Sequence, residues 1–128
     1  MKAVDTNILA RLIVQDDPGQ VAIADNLIAA GVIVPLTVLL ELGWLLRSRF
    51  GFDRSRIHAS IVELLDNPRI DVGETAAVRH AMRLYANGAD FADVIHLVAA
   101  RGAEAFLTFD RDVPDSTAIG VPVEVVGG

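Results

Sequence analysis

Asp90-Phe91-Ala92-Asp93-Val94-Ile95-His96-Leu97-Val98-Ala99-Ala100-Arg101-Gly102-Ala103-Glu104-Ala105-Phe106-Leu107-Thr108-Phe109-Asp110 is the stretch on which the fold turns. It reads as a helix over 90–101, a stop at Gly102, and a short apolar strand over 105–108. Asp90 suits the N-cap, and an acidic side chain in the first turn, Asp93, is favoured by the helix dipole. Glycine just past the last helical residue is the usual terminator. The strand then runs straight into a second carboxylate, Asp110. A helix feeding a strand, with acids at the helix start and the strand end, is half of a repeating α/β unit.

The rest of the chain supplies the other halves. Lys2–Val4 reads as a buried strand and Asn7–Val14 as a helix, with Ile8, Leu9, Leu12 and Ile13 at helical spacing. Asp16-Asp17-Pro18-Gly19 is a turn whose proline suits a helix start. That second helix carries Val21, Ala24, Leu27 and Ile28 and stops at Gly31. Val32–Val34 is a strand ended by Pro35. A third helix holds Leu39, Leu42, Leu45 and Leu46 after Thr37, taken as its N-cap. A fourth starts at Asp53, passes Ile57, Ile61, Leu64 and Leu65, and ends at Asn67-Pro68. Ile70–Val72 is a strand, 74–86 a helix, and Val121–Val126 the last strand. Short strands alternating with helices predict a three-layer α/β/α sandwich with a mainly parallel sheet. Repeats, linkers and low-complexity tracts are absent from the sequence, so residues 1–128 are expected to form a single domain.

Four acids stand beside apolar runs: Asp5, Glu41, Asp93 and Asp110. In open α/β sheets, sites gather at the carboxyl ends of strands. Asp5 and Asp110 follow predicted strands, Glu41 lies one turn into the helix after Val32–Val34, and Asp93 opens the helix before Ala105–Thr108. Each has a local explanation: Asp5 or Thr6 as a cap, Asp93 as a first-turn acid, Asp110 as a turn residue. Four together are harder to explain so. Carboxylates beside this much apolar surface are costly unless compensated, and one divalent cation would compensate several at once.

Composition narrows the classes. Of 128 residues, 52% are hydrophobic, and the formal net charge is −6. A strongly basic nucleic-acid surface is therefore not expected, although a nuclease with an acidic metal cluster is. No apolar run reaches the roughly 20 residues of a membrane span. Asp5 and Arg11 break any signal-peptide pattern, so no membrane association and a cytoplasmic location are expected. The absence of cysteine rules out disulfides and thiolate metal sites. High apolarity in a small chain leaves surface for self-association.

Several motifs carry a family resemblance. Val4-Asp5-Thr6-Asn7, Glu41 after Pro35-Leu36-Thr37, Asp90-Phe91-Ala92-Asp93-Val94-Ile95-His96-Leu97 and Thr108-Phe109-Asp110-Arg111-Asp112 resemble, in order and spacing, the motifs of PIN domains. The compact length is similar to that of the VapC toxins of bacterial type II toxin–antitoxin modules. This resemblance implies a Mg²⁺- or Mn²⁺-dependent endoribonuclease that inhibits translation. It implies Asp5, Glu41 and Asp93 as metal-binding catalytic acids and Asp110 as a fourth, more variable one. Thr6 and Asn7 match residues that brace the first acid, and Thr108 matches the hydroxyl near the fourth. Asp90 and Asp112 are accessory candidates, and Val113 stands where an aromatic is common. The implied partners are an RNA substrate, a cognate VapB-type antitoxin and a second copy of the chain in a homodimer. DNA would be reached only through the antitoxin.

The chemistry agrees independently. Mg²⁺ takes hard oxygen ligands and keeps several waters. A bound ion of this kind activates water and stabilises charge on a phosphate, with no histidine or lysine base required. Asp93 and His96 form an i, i+3 pair, but His96 alone is a weak ligand signal, and His58 and His80 read as ordinary helix residues. Arg47, Arg49, Arg54 and Arg56 flank Phe50-Gly51-Phe52 and read as a solvated face, with a phosphate-contacting rim or an antitoxin contact as the alternative. Phosphotransferases of the haloacid dehalogenase type and receiver domains also place an aspartate after the first strand. Both need a distal lysine, and the only lysine is Lys2. A non-catalytic interaction module with a relic acidic pocket is the remaining competitor.

Overall fold

The computed structural model describes residues 1–115 and 117–127. They form two compact units, Met1–Gly73 and Glu74–Gly128.

The first unit runs β1 (Lys2–Ala3), α1 (Thr6–Val14), α2 (Pro18–Ala29), β2 (Val32–Ile33), α3 (Leu36–Ser48), α4 (Arg54–Asp66) and β3 (Ile70–Asp71). Its sheet is parallel, in the order β1-β2-β3, with Lys2 paired to Val32 and Val32 to Ile70. Ladder bonds from Val4 N to the Ile33 carbonyl (3.1 Å) and from Val34 N to the Asp71 carbonyl (2.8 Å) carry the pairing one residue further. The strands expected over 2–4 and 32–34 are thus present, with their last residues held by single bonds, but β1 is not the buried strand expected: Lys2 and Ala3 are exposed at the sheet edge and only Val4 is buried. Parallel strands need crossovers, and the helices supply them. Leu9, Leu39, Leu42, Leu46, Ile57 and Ile61 are buried and make the core of this unit.

Local chemistry sets the helix ends. The Asp17 side chain accepts from Gln20 N, with Pro18 in the first turn, and Asp53 accepts from Arg56 N at 2.8 Å. Each satisfies one orphan N–H of a helix start. Gly31, at φ 83°, follows the end of α2 and donates to the Ile28 carbonyl. One expectation is corrected. Thr37 does not cap α3: the helix begins at Leu36, Pro35 holds the cap position in extended conformation, and Thr37 lies within the first turn, exposed. The Pro35 carbonyl accepts from Val38 N and Leu39 N, so the turn closes without a side-chain acceptor.

The second unit runs α5 (Thr75–Ala86), α6 (Phe91–Ala99), β4 (Phe106–Thr108) and β5 (Val123–Val125). β4 and β5 pair in parallel, Phe106 with Val123 and Thr108 with Val125, and Val126 N donates to the Thr108 carbonyl. Tyr85 and Phe91 meet edge to face, 5.2 Å between centroids, where α5 packs on α6. Arg101 donates from Nε to the Ile119 carbonyl at 2.8 Å and ion-pairs with Glu74. No helix among the described residues is long and apolar enough to cross a membrane.

Candidate active site

Asp5 leaves β1 and occupies the cap position of α1, at φ −82° and ψ 161°. Its carbonyl accepts from Ile8 N, but its carboxylate makes no capping bond and is exposed. The capping explanation for Asp5 therefore holds for the backbone and not for the side chain. Thr6 is buried, the one polar side chain in that class among the described residues. It is the first residue of α1, directly after Asp5.

Glu41 sits in α3 and is exposed, as are Thr37 and Trp44, one turn before and after it. Leu39, Leu42 and Leu46 of the same helix are fully buried. The apolar residues around Glu41 in sequence thus lie on the opposite face, as 3.6-residue periodicity requires.

Asp93 and Asp110 both belong to the second unit, and there the electrostatics are informative. Asp93 lies in the first turn of α6, half-buried, with its N–H donating to the Asp90 carboxylate at 3.0 Å. Burial pushes its carboxyl above the usual range, and the nearby charges of Asp90 and Asp110 push it further, with His96 opposing. Asp110 follows β4 in a tight turn. Its N–H donates to Thr108 Oγ1 at 3.0 Å, and its Oδ1 accepts from Asp112 N at 2.8 Å. Thr108 and Asp112 therefore fix the direction of the Asp110 carboxylate. The turn role foreseen for Asp110 is real, and it coexists with a charge felt at Asp93. Asp90 does two things at once: it caps α6 and raises Asp93.

The desolvation argument drawn from the sequence is corrected by these exposures. Asp5, Glu41 and Asp110 face solvent, and Asp93 alone is half-buried. Water already solvates three of the four, so an absent counter-ion does not strand them. The structure brings Asp93 into the field of Asp110 and Asp90 within the second unit. Asp5 and Glu41 stand exposed in the first. Among the described residues, no group of three or more His, Cys, Asp or Glu is spaced to hold a metal ion. The oxygen donors are of the kind Mg²⁺ prefers, and the charge pressure on Asp93 is what a cation would relieve.

The arginine-rich loop behaves as a solvated face with rings beneath it: the Arg56 guanidinium lies 3.7 Å from the centroid of buried Phe52, and Arg49 lies 5.9 Å from that of Phe50. His80 contacts Arg83 at 2.8 Å, an ordinary helix-surface role. Two features that composition does not signal are the exposures of Trp44 and Phe109. Both are apolar residues in apolar stretches, where sequence alone argues for burial.

No curated protein and no solved structure matches the chain. The PIN domain family matches residues 2–118. Domains of this family are generally nucleases that use divalent metal ions, and the mixed helices and parallel strands described above are those of its α/β/α fold. With nearly the whole sequence matched, the chain belongs to the PIN domain family.

Proposed function

We propose that this PIN domain is a Mg²⁺- or Mn²⁺-dependent endoribonuclease toxin of the VapC type, acting in the cytoplasm and neutralised by a cognate VapB-type antitoxin. The observation that carries the metal-nuclease part is Asp93 at the start of α6, half-buried and pushed up first by that burial and then by the charges of Asp90 and Asp110. Carboxylates that feel one another's charge at the entry of a helix and the exit of a strand form an anionic locus that a cation would relieve. In this reading Asp5, Glu41, Asp93 and Asp110 hold the ion. When bound, the cation supplies an activated water and neutralises charge developing on the scissile phosphate. The chain's own residues do the rest. Asp93 would offer its carboxylate oxygens to the ion from the first turn of α6. Thr108 and Asp112 hold Asp110 in its turn, and buried Thr6 directly follows Asp5 at the start of α1. The toxin and antitoxin parts rest on the motif resemblance. Ile23 and Leu27, one turn apart on α2 and exposed, support self-association into a homodimer.

A second reading, a non-catalytic interaction module with a relic acidic pocket, draws on the lack of a three-acid group among the described residues. One experiment separates the two. The purified protein is incubated with total RNA in Mg²⁺ or Mn²⁺, and the cut ends are mapped, with EDTA and Asp5→Asn as controls. The nuclease reading expects defined cuts that vanish in both controls. Asp5→Asn should keep its stability within about 0.5 kcal/mol, because the side chain is exposed and caps nothing. Cleavage by Asp5→Asn at the wild-type rate would favour the interaction module.

A further inference from the structure

Seven residues of the chain are aromatic: five Phe, one Trp and one Tyr. Two of them are largely exposed, Trp44 at 67% and Phe109 at 82%. Exposed rings of this size offer flat apolar faces to a partner. Each of the two lies beside a candidate site acid. Trp44 is three residues after Glu41 on α3, the spacing that puts two side chains on one helix face. Phe109 immediately precedes Asp110 in the turn held by Thr108 and Asp112. The Phe109 ring also lies near Gly127: its Cε1 is 3.1 Å from where a Cβ on that residue would be, while the side chain remains largely exposed.

We propose that Phe109, beside Asp110 in the second unit, and Trp44, beside Glu41 in the first, are base-stacking platforms, each holding an unpaired nucleobase of the RNA next to the acid of its own unit. The proposal rests on the nuclease reading above for its substrate. The reason for rings here is electrostatic. A chain of net charge −6 with an acidic site has little coulombic attraction for a polyanion. Stacking on an aromatic face does not depend on that attraction, and every base has a face to offer. A phosphate is then brought to the carboxylates by its neighbouring bases. A paired base already stacked in a duplex has no free face, so the platforms select unpaired strands.

Trp44 is the only tryptophan, so the emission of the unmodified protein reports on it directly. The test titrates the wild-type protein, in Ca²⁺ in place of Mg²⁺, with a randomised single-stranded oligoribonucleotide pool and with an RNA duplex. Cleavage of the single-stranded pool is measured separately in Mg²⁺ and Mn²⁺. The expected result is quenching by single strands and much less by duplex. Phe109→Ala should weaken binding roughly tenfold or more, the scale of one lost stack. It should raise KM by the same factor while kcat stays within about threefold, and Phe109→Tyr should restore both. The Trp44 variants carry no tryptophan and are followed by the anisotropy of a fluorescein-labelled single strand: Trp44→Phe should bind like wild type, and Trp44→Ala should lose affinity as Phe109→Ala does. Circular dichroism melts check that the variants remain folded, as exposed positions allow.

If the wild type cleaves but emission is unmoved and Phe109→Ala binds normally, the platforms are wrong and the nuclease reading stands. If quenching and the Phe109 effect appear without cleavage, the nuclease reading falls and the platforms stand. A dimer that becomes monomeric in either alanine variant, at unchanged RNA affinity, would assign the rings to a protein interface and overturn the proposal.

Discussion

Asp90 offers the sharpest test of the electrostatics, because one side chain does two separable jobs. It accepts a hydrogen bond from Asp93 N at 3.0 Å, capping a helix of only nine residues, and its charge raises the Asp93 carboxyl. Asp90→Ala removes both. The lost cap costs about 1 kcal/mol, within a range of roughly 0.5–2. For a chain of this length that is a fall in Tm of about 3–5 °C. Asp90→Asn keeps an acceptor of equal capping quality and removes only the charge. The lost interaction with the helix dipole costs roughly 0.3–1 kcal/mol, and relief of Asp93 opposes it. The raised Asp93 is held protonated more readily in the folded chain than in the unfolded one. It therefore contributes nothing to stability at pH well below 3.8, and its penalty grows as pH rises from 3.8 towards the folded value and is complete above it. Asp90→Asn should accordingly lie within about 0.5 kcal/mol of wild type at pH 7. It should move towards wild type in acid, where carboxylates in general lose their charge. Urea unfolding at pH 7 and at pH 3, followed by far-ultraviolet circular dichroism, measures all three proteins. If Asp90→Asn loses as much stability as Asp90→Ala at pH 7, the capping bond is not what Asp90 contributes. If Asp90→Ala costs nothing, the cap assignment itself fails.

Four further substitutions test the frame around the site. Leu42 is fully buried on the face of α3 opposite Glu41, so Leu42→Ala should cost about 2–5 kcal/mol in urea unfolding. Gln15 ends α1 in the left-handed region at φ 56°, the one described non-glycine residue there. Gln15→Gly should raise stability by up to about 1 kcal/mol in thermal melts, since glycine adopts that conformation without penalty. Arg101 ties its guanidinium to the Ile119 carbonyl as well as to Glu74. Arg101→Ala should therefore lose about 1 kcal/mol more than Glu74→Ala, because an exposed ion pair contributes little and a part-buried carbonyl left unpaired costs more. Equal losses for the two would show that the ion pair, not the carbonyl bond, is what matters.

Most of the secondary structure was legible in the residues themselves. Asp17-Pro18, Asp53 and Asp90 announce helix starts, and Gly31 a helix end, because capping is chemistry between residues two or three apart. Short apolar runs such as Val32–Val34 and Ala105–Thr108 mark strands, and their alternation with helices requires parallel pairing. The start of α3 was misplaced because Pro35 closes that turn through its carbonyl, a backbone arrangement that leaves no side-chain signature. The motif set around Asp5, Glu41, Asp93 and Asp110 was likewise sufficient to point to the PIN family, since identity and spacing are all that a family pattern reads. The environments of those acids were decided elsewhere. Sequence neighbours suggested that Glu41 lies in apolar surroundings, whereas helix geometry turns Leu39 and Leu42 inward and Glu41 out. The field of Asp110 at Asp93 joins residues 17 positions apart, and only the packing of the second unit brings it to bear. The exposure of Trp44 and Phe109 is likewise a tertiary outcome. Capping and periodicity act over a few residues, whereas solvation and long-range charge depend on what the folded chain places, or fails to place, around each side chain.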